Sequence, residues 1–222
     1  LLIYTQGGLP ALSFVAAIQH NGHPHCSASW IGEDILLTAA HCQPDPSSMS
    51  GWAVVDTFGQ SHTPDLWIVN KDYDESILGM HDTMLIRVRH LAPAKPHDTL
   101  LLPESDGFIP EALISAGYGR QITGDNSPVS LRSVRLTQED CNEAYPGIDV
   151  PDANICYNSP LPAPAGKCSG DSGGPLYDPS TKMIYGVTSW GAVPCASRAS
   201  VFVDVQQHLD WLERAVIFAE QR

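Results

Sequence analysis

Short apolar segments separated by glycine- and proline-marked turns occur along most of the chain. Residues 14–19, 52–58 and 183–190 have the length and composition of short β-strands. A further apolar run at 35–37 indicates a buried strand that leads into a short turn. Only residues 205–222 show a helical period, with four aliphatic side chains near one face: Val205, Leu209, Leu212 and Val216. The pattern predicts a β-rich fold with a C-terminal helix.

The 222 residues are enough to bury a large core, either as one domain or as two tightly packed halves. A proline-marked stretch at 91–103 is the candidate link between such halves. The sequence contains no internal repeat, no low-complexity tract and no apolar segment long enough to span a membrane. Twenty-five acidic residues against twelve basic ones leave a net charge of −13. This charge argues against nucleic acid and anionic membranes as partners.

The segment 170–175, Gly-Asp-Ser-Gly-Gly-Pro, carries the strongest chemical signal. A serine hydroxyl is a poor nucleophile unless a base removes its proton and amide donors hold the oxyanion that forms. Glycines beside Ser172 let the backbone turn sharply, so that the amides of Gly170 and Ser172 could both point at the developing charge. We interpret Ser172 as the candidate nucleophile and these two amides as the candidate oxyanion hole.

Two further residues complete the chemistry that a serine nucleophile needs. His41 follows the apolar run at 35–37 and two alanines, which leave room for a tightly packed imidazole. Asp82 precedes another mostly apolar run, and a buried acid there can accept a hydrogen bond from the imidazole Nδ1. Each residue taken alone also fits an ordinary turn position. The three signals together indicate a catalytic triad.

The chain resembles the chymotrypsin/trypsin-like serine peptidases from about residue 14 to residue 212. The residues that carry the resemblance are 39–42, Asp82 with 85–86, 117–119, Cys141, Cys156, 168–175 and 189–191. The order His41, Asp82, Ser172 is that family's order, and the resemblance assigns them as general base, orienting acid and nucleophile. It implies a secreted serine endopeptidase, a hydrolase that cleaves peptide bonds through an acyl-enzyme intermediate.

The same resemblance implies an all-β fold of two six-stranded antiparallel β-barrels with a C-terminal helix at about 205–222. Residues 1–102 would form the N-terminal barrel half with the histidine and the acid of the triad. Residues 103–222 would form the C-terminal barrel half with the serine.

Two other functions fit parts of the sequence. The segment 170–174 matches the Gly-x-Ser-x-Gly elbow of α/β-hydrolases, but that fold needs its acid and histidine after the serine, and the only later histidine is His208. The other alternative is a non-catalytic serine-peptidase homologue that acts as a binding module. Because all three triad residues are retained, we expect an enzyme.

Six cysteines, an even number, are present. The resemblance pairs them as Cys26–Cys42, Cys141–Cys156 and Cys168–Cys195. The first bridge would hold His41, and complete pairing points to an oxidising, extracellular compartment. Three histidines also cluster before the first cysteine: His20, His23 and His25. A metal site there is the weaker interpretation, since no Cys-x-x-Cys pair accompanies it and no calcium-binding acidic loop is evident. We therefore expect no metal and no cofactor.

The chain begins Leu1-Leu2-Ile3-Tyr4, close to where mature enzymes of the family begin. In the family, the new terminal ammonium pairs with the acid before the nucleophile, here Asp171, and thereby orders the oxyanion hole. The first residues depart from the usual Ile-Val-Gly-Gly, because the glycines come only at 7 and 8. The resemblance implies a zymogen whose activation forms a Leu1–Asp171 ion pair.

Specificity residues follow from the same resemblance. Gly166, six residues before Ser172, occupies the pocket floor where trypsin-like enzymes carry an aspartate, so P1 Arg or Lys is not expected. Lys167 lines one wall and Ser200 the opposite wall. Either Lys167 reaches into the pocket and favours P1 Asp or Glu, or its stem lines a neutral pocket while the ammonium reaches solvent. The neutral pocket, which accepts apolar and aromatic P1 residues, is favoured because there is only one cation.

The residues Ser189, Trp190 and Gly191 resemble the strand that pairs with an extended substrate backbone. The expected partners are protein or peptide substrates, with proteinaceous inhibitors as further candidates. We expect a monomer that binds neither nucleic acid nor a membrane.

Overall fold

Six strands close into an antiparallel barrel in the N-terminal half of the computed structural model, which describes residues 12–89, 96–120, 130–160 and 165–222. The strands are β1 (Val15–His20), β2 (His23–Trp30), β3 (Ile35–Thr38), β4 (Trp52–Val55), β5 (Ser61–Val69) and β6 (Met84–Arg89). Their order is β1-β2-β3-β6-β5-β4, and pairing of β4 with β1 closes the barrel. The apolar runs at 14–19, 35–37 and 52–58 correspond to β1, β3 and β4.

The C-terminal half forms a second closed barrel of the same kind. Its strands are β7 (Ala112–Gly117), β8 (Arg132–Glu139), β9 (Asn154–Asn158), β10 (Pro175–Tyr177), β11 (Ile184–Gly191) and β12 (Ser200–Asp204). The order is β10-β11-β12-β9-β8-β7, closed by pairing of β10 with β7. The prediction of two six-stranded antiparallel barrels is confirmed. Closure removes the exposed strand edges that an open sheet of this length would leave.

Outside the barrels, the described ranges contain two α-helices, α1 (Cys141–Ala144) and α2 (Leu209–Glu220). The predicted C-terminal helix is confirmed, although its α-helical part begins at Leu209, after a 3-10 turn at Gln206–His208. Its buried stripe consists of Leu209, Leu212, Ala215 and Ala219. Val216 is only partly buried, because the two alanines rather than this valine continue the stripe against the barrel. The short α1 was not predicted; Asp140 caps it by accepting a hydrogen bond from the backbone N–H of Asn142.

The predicted link between the halves, 91–103, is described only in part, since residues 91–95 lie outside the described residues. Leu100 is buried and donates its backbone N–H to the end of β2 at 2.8 Å. Leu101 exchanges two backbone hydrogen bonds with residues 182–184, at 2.9 and 3.0 Å. The described part of this stretch is therefore bonded first to one barrel and then to the other. The division of the chain at residue 102 stays a prediction.

The apolar core is continuous across the two barrels. One cluster runs from Trp30 and Leu36 of the first barrel to Val187 of the second and Leu212 of α2. A separate cluster around Tyr157 fills the second barrel. Since the larger cluster crosses the boundary, loops from both barrels are held against each other along one seam. No helix in the described part of the chain is long and apolar enough to cross a membrane.

Candidate active site

His41 lies in a short 3-10 turn, Ala40–Cys42, that follows β3. Ala39 and Ala40 are fully buried, so this turn packs directly into the barrel with no room for larger side chains. Cys42 is bonded to Cys26 of β2. The turn is thus held by β3 through the chain and by β2 through the disulfide.

Asp82 lies just before β6, and its carboxylate is almost fully buried. One oxygen accepts a hydrogen bond from His41 Nδ1 at 2.7 Å, and the other accepts one from the His41 backbone N–H at 2.8 Å. Burial alone would raise the pKa of Asp82, but the hydrogen bonds and the attraction of His41, with a further bond from Ser189, hold the pKa below its usual value. Because an ionised carboxylate only accepts, Nδ1 carries the proton and Nε2 is left as the base.

Ser189 has a role that the sequence did not reveal. Its hydroxyl donates to the Asp82 carboxylate at 2.5 Å, and the residue is buried. A register shift in the pairing of β11 with β12 lies between Thr188 and Trp190. Such a bulge re-aims one side chain of the strand. Ser189 was predicted only as part of the substrate-binding strand, whereas its hydroxyl supports the triad.

Ser172 follows a tight loop whose glycines have no substitute. Gly170 and Gly173 have positive φ values of +98° and +82°. A Cβ on Gly173 would collide with the Thr38 hydroxyl and the backbone carbonyl of Ser27. The carbonyl of Ser172 accepts a hydrogen bond from the Ser27 N–H at 2.8 Å. The loop from the second barrel is therefore seated on β2 of the first.

Ser27 is a second residue that the sequence did not single out. Its hydroxyl accepts from the Tyr118 N–H at 2.9 Å and donates to the Gly170 carbonyl at 2.8 Å. It is fully buried beside a cysteine of the first disulfide. One hydroxyl thus joins the nucleophile loop, the 117–119 segment and β2. A small polar residue next to Cys26 was the available signal.

The backbone amides of Gly170 and Ser172 form no hydrogen bond within the described residues, whereas the next amide, that of Gly173, donates to the Thr188 carbonyl at 2.7 Å. Free amides flanking the serine are what an oxyanion hole requires. The Sγ of Cys42 lies 3.8 Å from the Ser172 carbonyl oxygen, which brings residue 172 beside the turn that carries His41. No hydrogen bond in the described part of the chain joins the Ser172 hydroxyl to His41. Catalytic hydrogen bonds of this kind often tighten only when substrate binds.

Asp171 directs its carboxylate at two backbone amides. Its oxygens accept from the Gly119 N–H at 2.7 Å and the Cys168 N–H at 2.9 Å. Gly119 lies so close that any Cβ would collide with this carboxylate. Burial raises the pKa of Asp171, although both hydrogen bonds and the nearby Lys167 act in the other direction. The predicted partner Leu1 lies outside the described residues.

Gly166, Lys167 and Ser200 lie together. A Cβ on Gly166 would lie 3.0 Å from the Ser200 hydroxyl, and the Lys167 backbone N–H donates to that hydroxyl at 3.0 Å. The Lys167 methylenes face Gly191, where a Cβ would lie 3.2 to 3.6 Å from them. A cavity of about 260 Å³ is lined by Gly166, Lys167 and Asp171, among others. Lys167 therefore connects the predicted pocket with the surroundings of Asp171.

Trp190 packs against Tyr145, with ring centroids 4.8 Å apart, and is partly buried rather than part of the core. Among the described residues, its indole N–H has no hydrogen-bond partner, and neither polar atom of the Asn154 side chain has one. Gly79 lies against both, since a Cβ there would be 2.7 Å from each. The segment before Asp82 therefore packs against the Trp190 side chain.

All six cysteines are joined in the three predicted pairs. Within the described residues, the only metal-like grouping is Cys26, His41 and Cys42, and its two sulfurs are already bonded to each other. The histidines at 20, 23 and 25 form no such grouping there. His20 instead stacks on Trp52 at 4.6 Å.

Comparison with curated proteins finds similarity to a kallikrein and a trypsin. Glandular kallikrein from Sus scrofa is 28% identical over 227 residues, which cover 90% of this chain and 89% of the kallikrein. Trypsin II-P29 from Gallus gallus is 28% identical over 210 residues, which cover 89% and 82% of the two chains.

Solved structures show the same fold. Neuropsin, a serine protease expressed in the limbic system of mouse brain, superposes with a TM-score of 0.78 at 24% identity and covers 93% of this chain and 95% of its own. The structure of HBP gives a TM-score of 0.76 at 23% identity, over 92% and 91% of the two chains. The family model described as Trypsin matches residues 7–212. This chain, with two closed barrels and the His41–Asp82 pair at their seam, therefore belongs to the trypsin family.

Proposed function

We propose that the protein is a secreted serine endopeptidase in which Ser172 is the nucleophile, His41 the general base and Asp82 the orienting acid. The observation that carries the proposal is the His41 imidazole, held through Nδ1 by a buried carboxylate, beside a serine whose flanking amides are free. Three disulfides and no free cysteine support an extracellular location.

The reaction follows from these positions. His41 Nε2 takes the Ser172 proton while Oγ attacks the carbonyl carbon, and the displaced electron pair forms an oxyanion that accepts hydrogen bonds from the amides of Gly170 and Ser172. The imidazolium, stabilised by Asp82, then gives its proton to the amide nitrogen as the C–N bond breaks. The resulting acyl-enzyme reacts with a water that His41 deprotonates, which releases the acid and restores Ser172.

The orientation of the imidazole depends on Asp82 and on the bonds that hold it. A carboxylate that accepts from Ser189 and from two groups of His41 cannot rotate without losing a hydrogen bond. This arrangement holds the tautomer in which Nε2 is unprotonated, and it stabilises the positive charge that develops during proton transfer.

The proposal extends to zymogen activation through a Leu1–Asp171 ion pair. Asp171 supports it, because a carboxylate with a raised pKa costs free energy when ionised at neutral pH and gains from an added ammonium. Its hydrogen bonds to Gly119 and Cys168 would carry that stabilisation to the loop before Ser172.

Substrate preference at P1 excludes Arg and Lys in this proposal, since Gly166 offers no carboxylate at the pocket floor. A neutral pocket for apolar or aromatic P1 residues requires the Lys167 ammonium to reach solvent. An acidic preference requires the ammonium to stay within the pocket.

A serine-directed fluorophosphonate tests the function. We expect stoichiometric labelling at Ser172, and we expect Ser172→Ala to abolish labelling and reduce peptide hydrolysis by a factor on the order of 10⁴ to 10⁶. A folded wild-type protein that is never labelled would favour the non-catalytic binding module instead. Circular dichroism of both proteins controls for folding.

A further inference from the structure

Lys167 is a mostly buried cation without an ion-pair partner in the described part of the chain. The only hydrogen bond that the residue forms there is donated by its backbone N–H, so the ammonium donates none. Burial lowers the pKa of Lys167, and the attraction of Asp171 and Asp82 offsets this only in part. An ammonium left in this state costs free energy unless an anion joins it.

Neither neighbouring carboxylate takes that place. Asp82 already accepts three hydrogen bonds, from Ser189 and from two groups of His41. Asp171 accepts two from backbone amides. Neither lies within ion-pair distance of Lys167, so the ammonium keeps three donors for a group that enters from outside.

The Lys167 side chain runs along a wall of the predicted substrate pocket. The Cγ, Cδ and Cε atoms of Lys167 run along Gly191, on the opposite wall. The absence of a side chain at position 191 is what makes room for the stem. Asp171 and Asp82 are the acids whose attraction acts on the ammonium, and Asp171 lines the same cavity as Lys167.

Ser200 supplies a second donor. Its hydroxyl accepts from the Lys167 backbone N–H at 3.0 Å and donates to no group in the described residues. Ser200 is almost fully buried, and a buried hydroxyl gains from an acceptor for its proton. Gly166 leaves the space beside this hydroxyl open.

We propose that Lys167 and Ser200 form a carboxylate-binding subsite that selects substrates with glutamate or aspartate at P1. The inference rests on the proposed function for the cleavage step, and it chooses the acidic pocket over the neutral one. A carboxylate would accept from the ammonium and from the Ser200 hydroxyl, and the charge-assisted bond is the stronger of the two.

The test is cleavage of peptides that differ only at P1: Glu, Asp, Gln, Phe and Arg. Glutamate and glutamine have the same shape, so their ratio of kcat/KM isolates the charge. We expect Glu to exceed Gln by about 10- to 100-fold, and we expect Lys167→Met to reduce that ratio to about one. Lys71→Met is the matched control, because Lys71 is an exposed lysine paired only with Asp72, and it should leave the ratio unchanged.

Two results would overturn the inference. An unchanged Glu-to-Gln ratio in Lys167→Met would show that the ammonium does not meet the P1 side chain. An equal loss on all five peptides would show that Lys167 acts through Asp171 as a positioning residue.

A binding measurement separates this inference from the proposed function. Calorimetric titration of Ser172→Ala with product peptides ending in Glu or Gln needs no catalysis. We expect the Glu peptide to bind at least 10-fold more tightly, and we expect Lys167→Met to remove the difference. If the fluorophosphonate fails to label wild-type protein but this difference persists, the function is wrong and the subsite is right. If the wild-type protein is labelled but the Glu and Gln peptides bind equally, the function is right and the subsite is wrong.

Discussion

The two barrels contribute opposite kinds of groups to the site. In the first, His41 and Asp82 are paired, and the carboxylate accepts three hydrogen bonds. In the second, the amides of Gly170 and Ser172 have no partner and the Lys167 ammonium has none, among the described residues. The first half is complete without substrate, whereas the second holds unsatisfied donors. A substrate supplies an oxyanion for the two amides and, with an acidic P1 residue, a carboxylate for the ammonium, so it would pair the donors that folding leaves unpaired.

The largest loss of activity should come from the first barrel, when the His41–Asp82 pair is broken. In Asp82→Asn, an NH₂ group replaces one carboxylate oxygen and the negative charge is lost, so the tautomer with a proton on Nδ1 is no longer held. We expect kcat/KM to fall about 10⁴-fold, and we expect a loss of thermal stability at neutral pH because the depressed pKa of Asp82 contributes stability there. Steady-state kinetics and a melting curve check this. A loss below 10-fold would mean that the buried carboxylate is not the orienting group.

The second-largest effect should come from the second barrel, when the proposed terminal ammonium is kept away from Asp171. An N-terminal extension removes the ammonium that we place on Asp171, and we expect it to lower kcat/KM by about 100-fold, equivalent to roughly 2.7 kcal/mol. Pairing raises the amine pKa above its free value of about 7.7 to 8.0, so the active arrangement is supported below that value and fades as pH rises through the raised pKa.

Equal activity of the extended and processed forms would contradict this activation step. Activity that stays flat up to about pH 11 would contradict it as well, because no amine pKa would then control the active arrangement.

A smaller effect should appear in the pH dependence of the Glu-over-Gln preference that we assign to Lys167. Because burial lowers the pKa of this ammonium, the Glu-over-Gln preference should decline at a pH below the ordinary lysine value of about 10.4. Lys167→Arg should keep its charge and hold the preference to higher pH. A preference that declines equally in both proteins would point to another group.

The smallest effect should come from removing the Ser189 hydroxyl that supports Asp82. Ser189→Ala removes one hydrogen bond from Asp82, and we expect kcat/KM to fall about 5- to 20-fold. The depressed pKa of Asp82 contributes stability that is present above its unfolded value of about 3.9 and is lost as pH falls through the folded value. The variant should shift this acid unfolding transition to higher pH. Ser61→Ala, at an exposed serine at the start of β5 that forms no bond to Asp82, is the control.

Much of the architecture followed from local pattern. The apolar runs at 14–19 and 35–37 became β1 and β3, and the helical period at the C-terminus became α2. The pairing of the cysteines and the two-barrel fold came from the resemblance, and the structure has both. The 3-10 turn before Leu209 was missed, because a helical period does not distinguish its first turn from an α-helix.

The supporting residues of the site were less accessible to sequence reasoning. Ser189 meets Asp82 because of a bulge in β11, and simple alternation along a strand does not predict a bulge. Ser27 joins three segments that lie up to 143 residues apart, so no local window contains its partners. Asn154 and Trp190 lie against Gly79 with side-chain polar atoms that have no partner among the described residues, and the sequence contains no pattern that predicts this.

The chain's order of residues was sufficient to name the nucleophile loop, the histidine and the acid, because their chemistry requires particular residue types in short segments. Which donors are satisfied and which remain free depended on contacts between the barrels. Hydrogen-bond partners such as Ser27 and Gly170 are remote in sequence, and long-range packing sets the direction of each side chain. For the same reason, the sequence assigns Lys167 to the pocket wall beside Gly166, but it does not decide whether the ammonium faces solvent or the pocket.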